Sequence, residues 1–147
     1  ANRTEDGSDI TIYDEAYNAN PDSMKAAMRI LVEDPSPAKV FLMGDMGEVG
    51  KDGPACHAEV GAYARELGLT LWTCGELSKH AAEACGAGAR RFATVAELLE
   101  HLTELPASKA AFTVKASHSM GFDRVVARLL ELHARRDDAP RNPTNEN

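Results

Sequence analysis

The chain has 147 residues, a formal charge of -7 from 16 basic and 23 acidic residues, and 44% hydrophobic residues, which suits one domain of ordinary size with a single core. The acidic balance argues against a nucleic-acid surface, which needs clustered Lys and Arg. No apolar run approaches the ~20 residues of a membrane span, and the polar, charged opening of the chain does not read as a secretory leader.

Residues 1–9 read as a linker remnant leading into a first strand, Ile10 to Tyr13. Met24, Ala27, Met28 and Leu31 then fall at i, i+3, i+4 and i+7, one face of a helix. Lys39 to Met43 is a second strand, and Cys56, Val60, Tyr63, Ala64 and Leu67 mark a second helix. Leu69 to Cys74 is a third strand. Leu77 to Cys85 is a third helix, ended by Gly86. Arg91 to Ala93 is a short, weak strand. Val95, Leu98, Leu99 and Leu102 give a fourth helix, and Ala110 to Val114 a fifth strand. Phe122, Val125, Val126, Leu129 and Leu130 give a last helix. Residues 137–147 are polar, carry two prolines and lack apolar anchors, so a disordered tail is expected there. The domain proper spans 10–136.

Strands alternating with helices predict an α/β domain, Rossmann-like and doubly wound, with a mostly parallel sheet and helices on both faces. The basic doublets Arg90-Arg91 and Arg135-Arg136 read as solvated helix or loop ends. Cys56, Cys74 and Cys85 are odd in number and lack CxxC spacing. They read as reduced, at least partly buried thiols of a cytoplasmic protein, not as a disulfide framework or zinc site. The five histidines also lack metal-ligand spacing, and no metal site is expected.

In such sheets ligands bind outside the carboxyl ends of the strands. Three strand ends carry polar clusters. Asp14, Glu15, Tyr17, Asn18 and Asn20 follow the first strand and run into a helix whose N-terminal N–H groups favour anions. Local capping, with Asn20 as N-cap and Pro21 at N1, accounts for Asn20-Pro21 and is worth ~1 kcal/mol. It does not account for Asp14, Glu15, Tyr17 and Asn18 together. The second cluster is Gly44-Asp45-Met46-Gly47-Glu48-Val49-Gly50. It is neither a P-loop nor a GxGxxG turn, because Gly50-Lys51 is followed by Asp52 and position 45 is Asp. It reads best as a glycine-rich turn into a helix starting near Pro54. In the third, Lys115, Ser117, His118 and Ser119 suit a phosphate or a carboxylate. The alternative there is Ser119 as an N-cap and Lys115 as a solvated charge.

These clusters carry a family resemblance. Asp14 to Met24, reading D-E-A-Y-N-A-N-P-D-S-M, resembles the segment that opens the C-terminal domain of the Mur ligase family, in its D-alanyl-D-alanine-adding branch. Gly44 to Gly50 is similar to that branch's GDMxELG segment, with His57, Val60 and Gly61 in its following HxxVG pattern. Gly75 to Ser78 matches a further short family segment. Thr113 to Met120 resembles its VKGSRxM segment, with Ala116 in place of Gly and His118 in place of Arg. Arg grips a carboxylate with two parallel hydrogen bonds, which His cannot do. The resemblance covers about residues 10–130.

The resemblance implies one domain of a three-domain, ATP-dependent ligase of peptidoglycan precursor synthesis. An N-terminal domain would hold UDP-N-acetylmuramoyl-tripeptide. A central domain would hold ATP and Mg2+ on a P-loop that this sequence lacks. This domain would close over the nucleotide and help bind the incoming D-alanyl-D-alanine. ATP would phosphorylate the tripeptide carboxylate, and the dipeptide amine would attack the acyl phosphate. This chain alone would be inactive, with no catalytic residue of its own. The resemblance implies that Asp14 and Glu15 contact the ATP ribose or order their loop, and that Tyr17, Asn18 and Asn20 face the nucleotide. It implies that Lys115, Ser117 and His118 face the acceptor or phosphates, and that Asp45 shapes the cleft floor.

Two other classes compete. A receiver domain is also doubly wound, and Asp14, Glu15, Asp45 and Lys115 could mimic its phospho-acceptor set. Its acceptor Asp follows the third strand, however, whereas Asp45 follows the second and the third ends at Thr73-Cys74-Gly75. A non-catalytic interaction module would fit if the strand-end clusters were only caps.

Overall fold

The computed structural model of the chain describes residues 2–5, 9–47 and 49–133. The predicted tail at 137–147 and the Arg135-Arg136 doublet lie outside these residues. The strands are β1 (Asn2–Glu5), β2 (Ile10–Glu15), β3 (Ala38–Gly44), β4 (Thr70–Cys74), β5 (Ala89–Phe92) and β6 (Ala110–Lys115). The helices are α1 (Pro21–Val32), α2 (Gly53–Leu67), α3 (Ser78–Cys85), α4 (Val95–His101) and α5, residues 123–133.

One sheet runs in the order β1-β2-β6-β3-β4-β5, with β2 to β5 and β6 parallel and β1 antiparallel at the edge. Successive strand side chains alternate faces. Ile10, Ile12, Val40, Leu42, Trp72, Phe112 and Val114 therefore meet Leu98 of α4, Phe122 just before α5, and Val125 and Leu129 of α5. Tyr13, Phe41, Met43, Leu71 and Ala111 face the other way, onto Met24, Met28 and Leu31 of α1, Val60 and Ala64 of α2, and Ala81 of α3. This is the predicted doubly wound architecture, with both faces covered. Full burial of each large apolar side chain contributes roughly 1.5–3 kcal/mol.

The sequence alone misses two features of the sheet edges. Asn2–Glu5, read as linker, forms the antiparallel strand β1, with Asn2 opposite Asp14 and Glu5 opposite Thr11. Arg90 and Arg91 are not helix or loop ends but lie on the edge strand β5. Arg90 stacks over the rings of Trp72 and Phe92 and pairs with Glu104, and Arg91 pairs with Glu83.

Strand order places the site. The chain passes from β2 to β3 through α1, moves outward through β4 and β5, then returns to insert β6 between β2 and β3. The helices after β2 and β3 cover one face, and the helix after β6 covers the other. The loops after these three strands therefore diverge, which opens a crevice at the carboxyl end of the sheet.

Candidate functional site

The crevice holds a cleft of about 610 Å3, walled by Tyr17, Asn18 and Asn20 from the loop after β2, Gly47 and Val49 from the loop after β3, and Ser117, His118 and Ser119 from the loop after β6. A hollow of about 440 Å3, lined by Ala38, Thr70 and Trp72, lies at the amino ends of β3 and β4, the opposite end of the sheet from that where ligands bind in such folds.

The loop after β2 is built from local hydrogen bonds. Asp14 Oδ1 accepts from the Ala16 N–H at 3.2 Å. At the other end Asn20 caps α1 as expected. Its side chain accepts from Ser23 N–H at 2.9 Å, while Ser23 Oγ accepts from Asn20 N–H at 3.0 Å, and Pro21 opens the helix. Between these ends Ala16 and Ala19 are buried, while Tyr17 and Asn18 are exposed, Tyr17 at 54%. Both exposed side chains line the cleft.

Lys115 and Glu15 end adjacent strands in register. Both are buried, and Lys115 Nζ lies 2.9 Å from Glu15 Oε1. Lys115 is thus not a solvated charge. Of the residues singled out in the sequence, Tyr17, Asn18, Asn20, Ser117 and His118 come together as cleft walls. Asp14, Glu15, Asp45 and Lys115 are not among those walls.

Asp45 ties three segments together. Its carboxylate accepts from the N–H groups of Leu77, at 3.3 Å, and Ser78, at 2.8 Å, at the start of α3. Its own carbonyl accepts from Ser117 N–H at 3.1 Å. Gly75 is required beside it: φ is 119°, and a Cβ there would lie 2.4 Å from Asp45 Oδ1. Ser119 is not the cap of α5. It lies in the 3-10 turn His118–Met120, with its hydroxyl 3.3 Å from that of Ser117. Ala116 fits against Gly44, where a Cβ would come within 2.8 Å of its methyl group.

His57 was read from the sequence only as part of a pattern. It is fully buried. Nδ1 lies 2.7 Å from the Gly53 carbonyl and Nε2 accepts from Met46 N–H at 3.0 Å. These partners assign a neutral ring with the proton on Nδ1. Burial is the largest cause holding its pKa below the usual value, with the Gly53 hydrogen bond opposing it. The ring joins α2 to the loop after β3 at Met46, next to the cleft residue Gly47. The signal for this was a histidine one turn into a helix beside buried Val60. Among the described residues no cluster of three or more His, Cys, Asp or Glu is placed to hold a metal ion.

Fold and site together define a doubly wound α/β domain with a polar cleft at its switch point. The chain belongs to the Mur ligase family: the family profile described as "Mur ligase, glutamate ligase domain" matches residues 2–138. It is 37% identical over 123 residues to the UDP-N-acetylmuramoyl-tripeptide–D-alanyl-D-alanine ligase of Escherichia coli (strain K12), covering 82% of this chain and 27% of that protein. It is 34% identical over 136 residues to the Synechocystis sp. ligase of the same description, covering 88% of this chain and 30% of that protein. A crystal structure of MurF from Acinetobacter baumannii superposes with a TM-score of 0.79 at 32% identity, over 88% of this chain and 30% of that one. The chain therefore spans less than a third of the length of these relatives.

Family membership sets aside the receiver and interaction-module alternatives. The strand order agrees. The parallel strands, numbered among themselves, run 1-5-2-3-4, not the 2-1-3-4-5 of receivers. The Asp45 carboxylate is also engaged by the start of α3. No helix among the described residues is long and apolar enough to cross a membrane.

Proposed function

We propose that this chain is the C-terminal domain of a cytoplasmic, ATP-dependent ligase that joins D-alanyl-D-alanine to UDP-N-acetylmuramoyl-tripeptide. The supporting observation is the switch-point cleft, in which the segment most specific to the D-alanyl-D-alanine-adding branch, Tyr17 to Asn20, faces Ser117 to Ser119. The family profile matches residues 2–138, a range that takes in both segments.

Tyr17, Asn18 and Asn20 present one exposed ring and two amides, which suit a nucleotide and its reacting phosphate. Ser117 and His118 present a hydroxyl and an imidazole from the opposite wall, which suit the acceptor dipeptide or phosphate oxygens. Asp14 orders the first wall, and Asp45 anchors the floor from beneath. ATP supplies the phosphoryl group that activates the tripeptide carboxylate. The phosphates and Mg2+ are assigned to the central domain, because phosphoryl transfer depends on positioned phosphates and metal and this sequence has no P-loop. This domain contributes by closing, which positions the reactants and excludes water.

Phosphate release tests the reading. The 147-residue chain alone should release none above an enzyme-free blank. The polypeptide that joins it to its N-terminal and central domains should release phosphate only with tripeptide and D-alanyl-D-alanine together. Turnover by the chain alone, or preference of the intact polypeptide for another amino-acid acceptor, would overturn it.

A further inference from the structure

Lys115 is 3% exposed, does not line the cleft and carries a charge that a purely apolar core residue would avoid. It ends β6, the strand inserted between β2 and β3, with Glu15 in register on one side and Met43 on the other. The ammonium donates to Glu15 Oε1 at 2.9 Å, which compensates the buried charge. It also donates to the main-chain carbonyl of Asn18 at 2.8 Å. This second bond is not needed for neutrality. It reaches the middle of the loop whose ends are fixed by Asp14 and by the Asn20–Ser23 capping box. That carbonyl belongs to Asn18 itself, next to Tyr17, and both side chains are exposed on the cleft wall.

We propose that Lys115 is a positioning residue: it tethers the Asn18 carbonyl from behind the cleft and so sets the directions of Tyr17 and Asn18, without touching substrate. The effect on turnover rests on the ligase reading above. The effect on the loop does not.

The test separates tether from charge with three variants: Lys115→Met, Lys115→Arg, and Lys115→Met combined with Glu15→Gln. Lys115→Met alone also strands the Glu15 carboxylate. The double variant removes that buried charge but does not restore the tether. Should Lys115→Met fail to fold, the double variant and Lys115→Arg carry the test. Amide hydrogen exchange on the 147-residue chain reads the loop against the central strands β3 and β6. The double variant should melt above Lys115→Met, yet its hydrogen-bonded loop amides at Ala16, Asn20 and Ser23 should exchange at least ~10-fold faster than in the unaltered chain. Lys115→Arg should return them toward the original rates. In the intact ligase the double variant should lose roughly 10–100-fold in kcat/KM, with partial rescue by Arg. Unchanged exchange at Ala16, Asn20 and Ser23 in the double variant would overturn the proposal. So would an undisturbed loop with a raised KM for the dipeptide alone, which would make Lys115 a substrate contact. An intact ligase with no ligation activity in its unaltered form would defeat the functional reading, while the exchange data would still decide the tether.

Discussion

Gly61 on α2 lies against the backbone of Ala81 on α3, so closely that a Cβ at 61 would sit 2.0 Å from the Ala81 carbonyl oxygen. The obstacle is main chain on the packed face of a helix and cannot swing aside. The two helices can approach this closely only with no side chain at that point. Gly61→Ala must push α3 outward, and α3 carries the N–H groups that bind Asp45. Overpacking of this kind typically costs 1–3 kcal/mol, and a backbone clash belongs at or above the upper end. Urea unfolding should show a loss of about 3 kcal/mol or more, against ordinary helix propensity, which favours Ala over Gly by ~1 kcal/mol. An unchanged or raised midpoint would mean that the helices are not in contact there.

The thiols should differ sharply in reactivity. Burial pushes Cys74 up to about 12 and raises Cys85 as well, whereas Cys56 is partly exposed on α2. The thiolate is the reacting form. Iodoacetamide at neutral pH should label Cys56 first, with Cys74 labelled only on unfolding, as peptide mass mapping would show. Early labelling of Cys74 would contradict its full burial in the core.

His57 makes stability depend on pH in a definite direction. The unfolded chain takes up a proton on this ring as pH falls through the usual value of about 6.5. The folded chain does so only at lower pH, because the ring is buried and its Nε2 already accepts from Met46. Between those two pH values the unfolded state holds more protons, so stability rises with pH. The contribution is full above about pH 6.5 and is lost progressively as pH falls from there toward the lowered folded value. Urea midpoints at about pH 7.5 and about pH 5.5 should therefore differ more for the unaltered chain than for His57→Gln, which starts less stable but has no titrating ring. Equal pH slopes would show that His57 is not held neutral.

Much of the fold is legible in the sequence because it rests on periodicity. The buried face of α1 is the predicted set Met24, Ala27, Met28 and Leu31, since one apolar stripe suffices to define a helix packed on a sheet. The edges are illegible for the converse reason. β1 is a strand because it pairs with β2, not because Asn2 to Glu5 alternate in hydropathy, and β5 exposes Arg90 and Arg91 where a core strand would bury them. The strand-end clusters were visible as clusters, but not how they divide into walls and supports. Lys115 and Glu15 are 100 positions apart, and only the insertion of β6 beside β2 makes them partners. Asp45 likewise meets Leu77 and Ser78 through the turn at Gly75. Local pattern carries no information on such pairings.

The cleft assignment is tested most directly by Asn18→Ala in the intact ligase. The Asn18 side chain is exposed at the cleft, and Lys115 holds its carbonyl, which the substitution leaves in place. Stability should change by no more than about 0.5 kcal/mol, as for a surface position. Asn20→Ala is the internal control, because it also removes the N-cap bond to Ser23 and should cost ~1 kcal/mol. Steady-state kinetics at varied ATP and D-alanyl-D-alanine separates a nucleotide role from an acceptor role. The account predicts that Asn18→Ala lowers kcat/KM by ~10²–10³, the cost of one lost preorganised polar contact, with an unchanged melting temperature. A variant that turns over at the original rate, or one that unfolds while its folded fraction works normally, would contradict it.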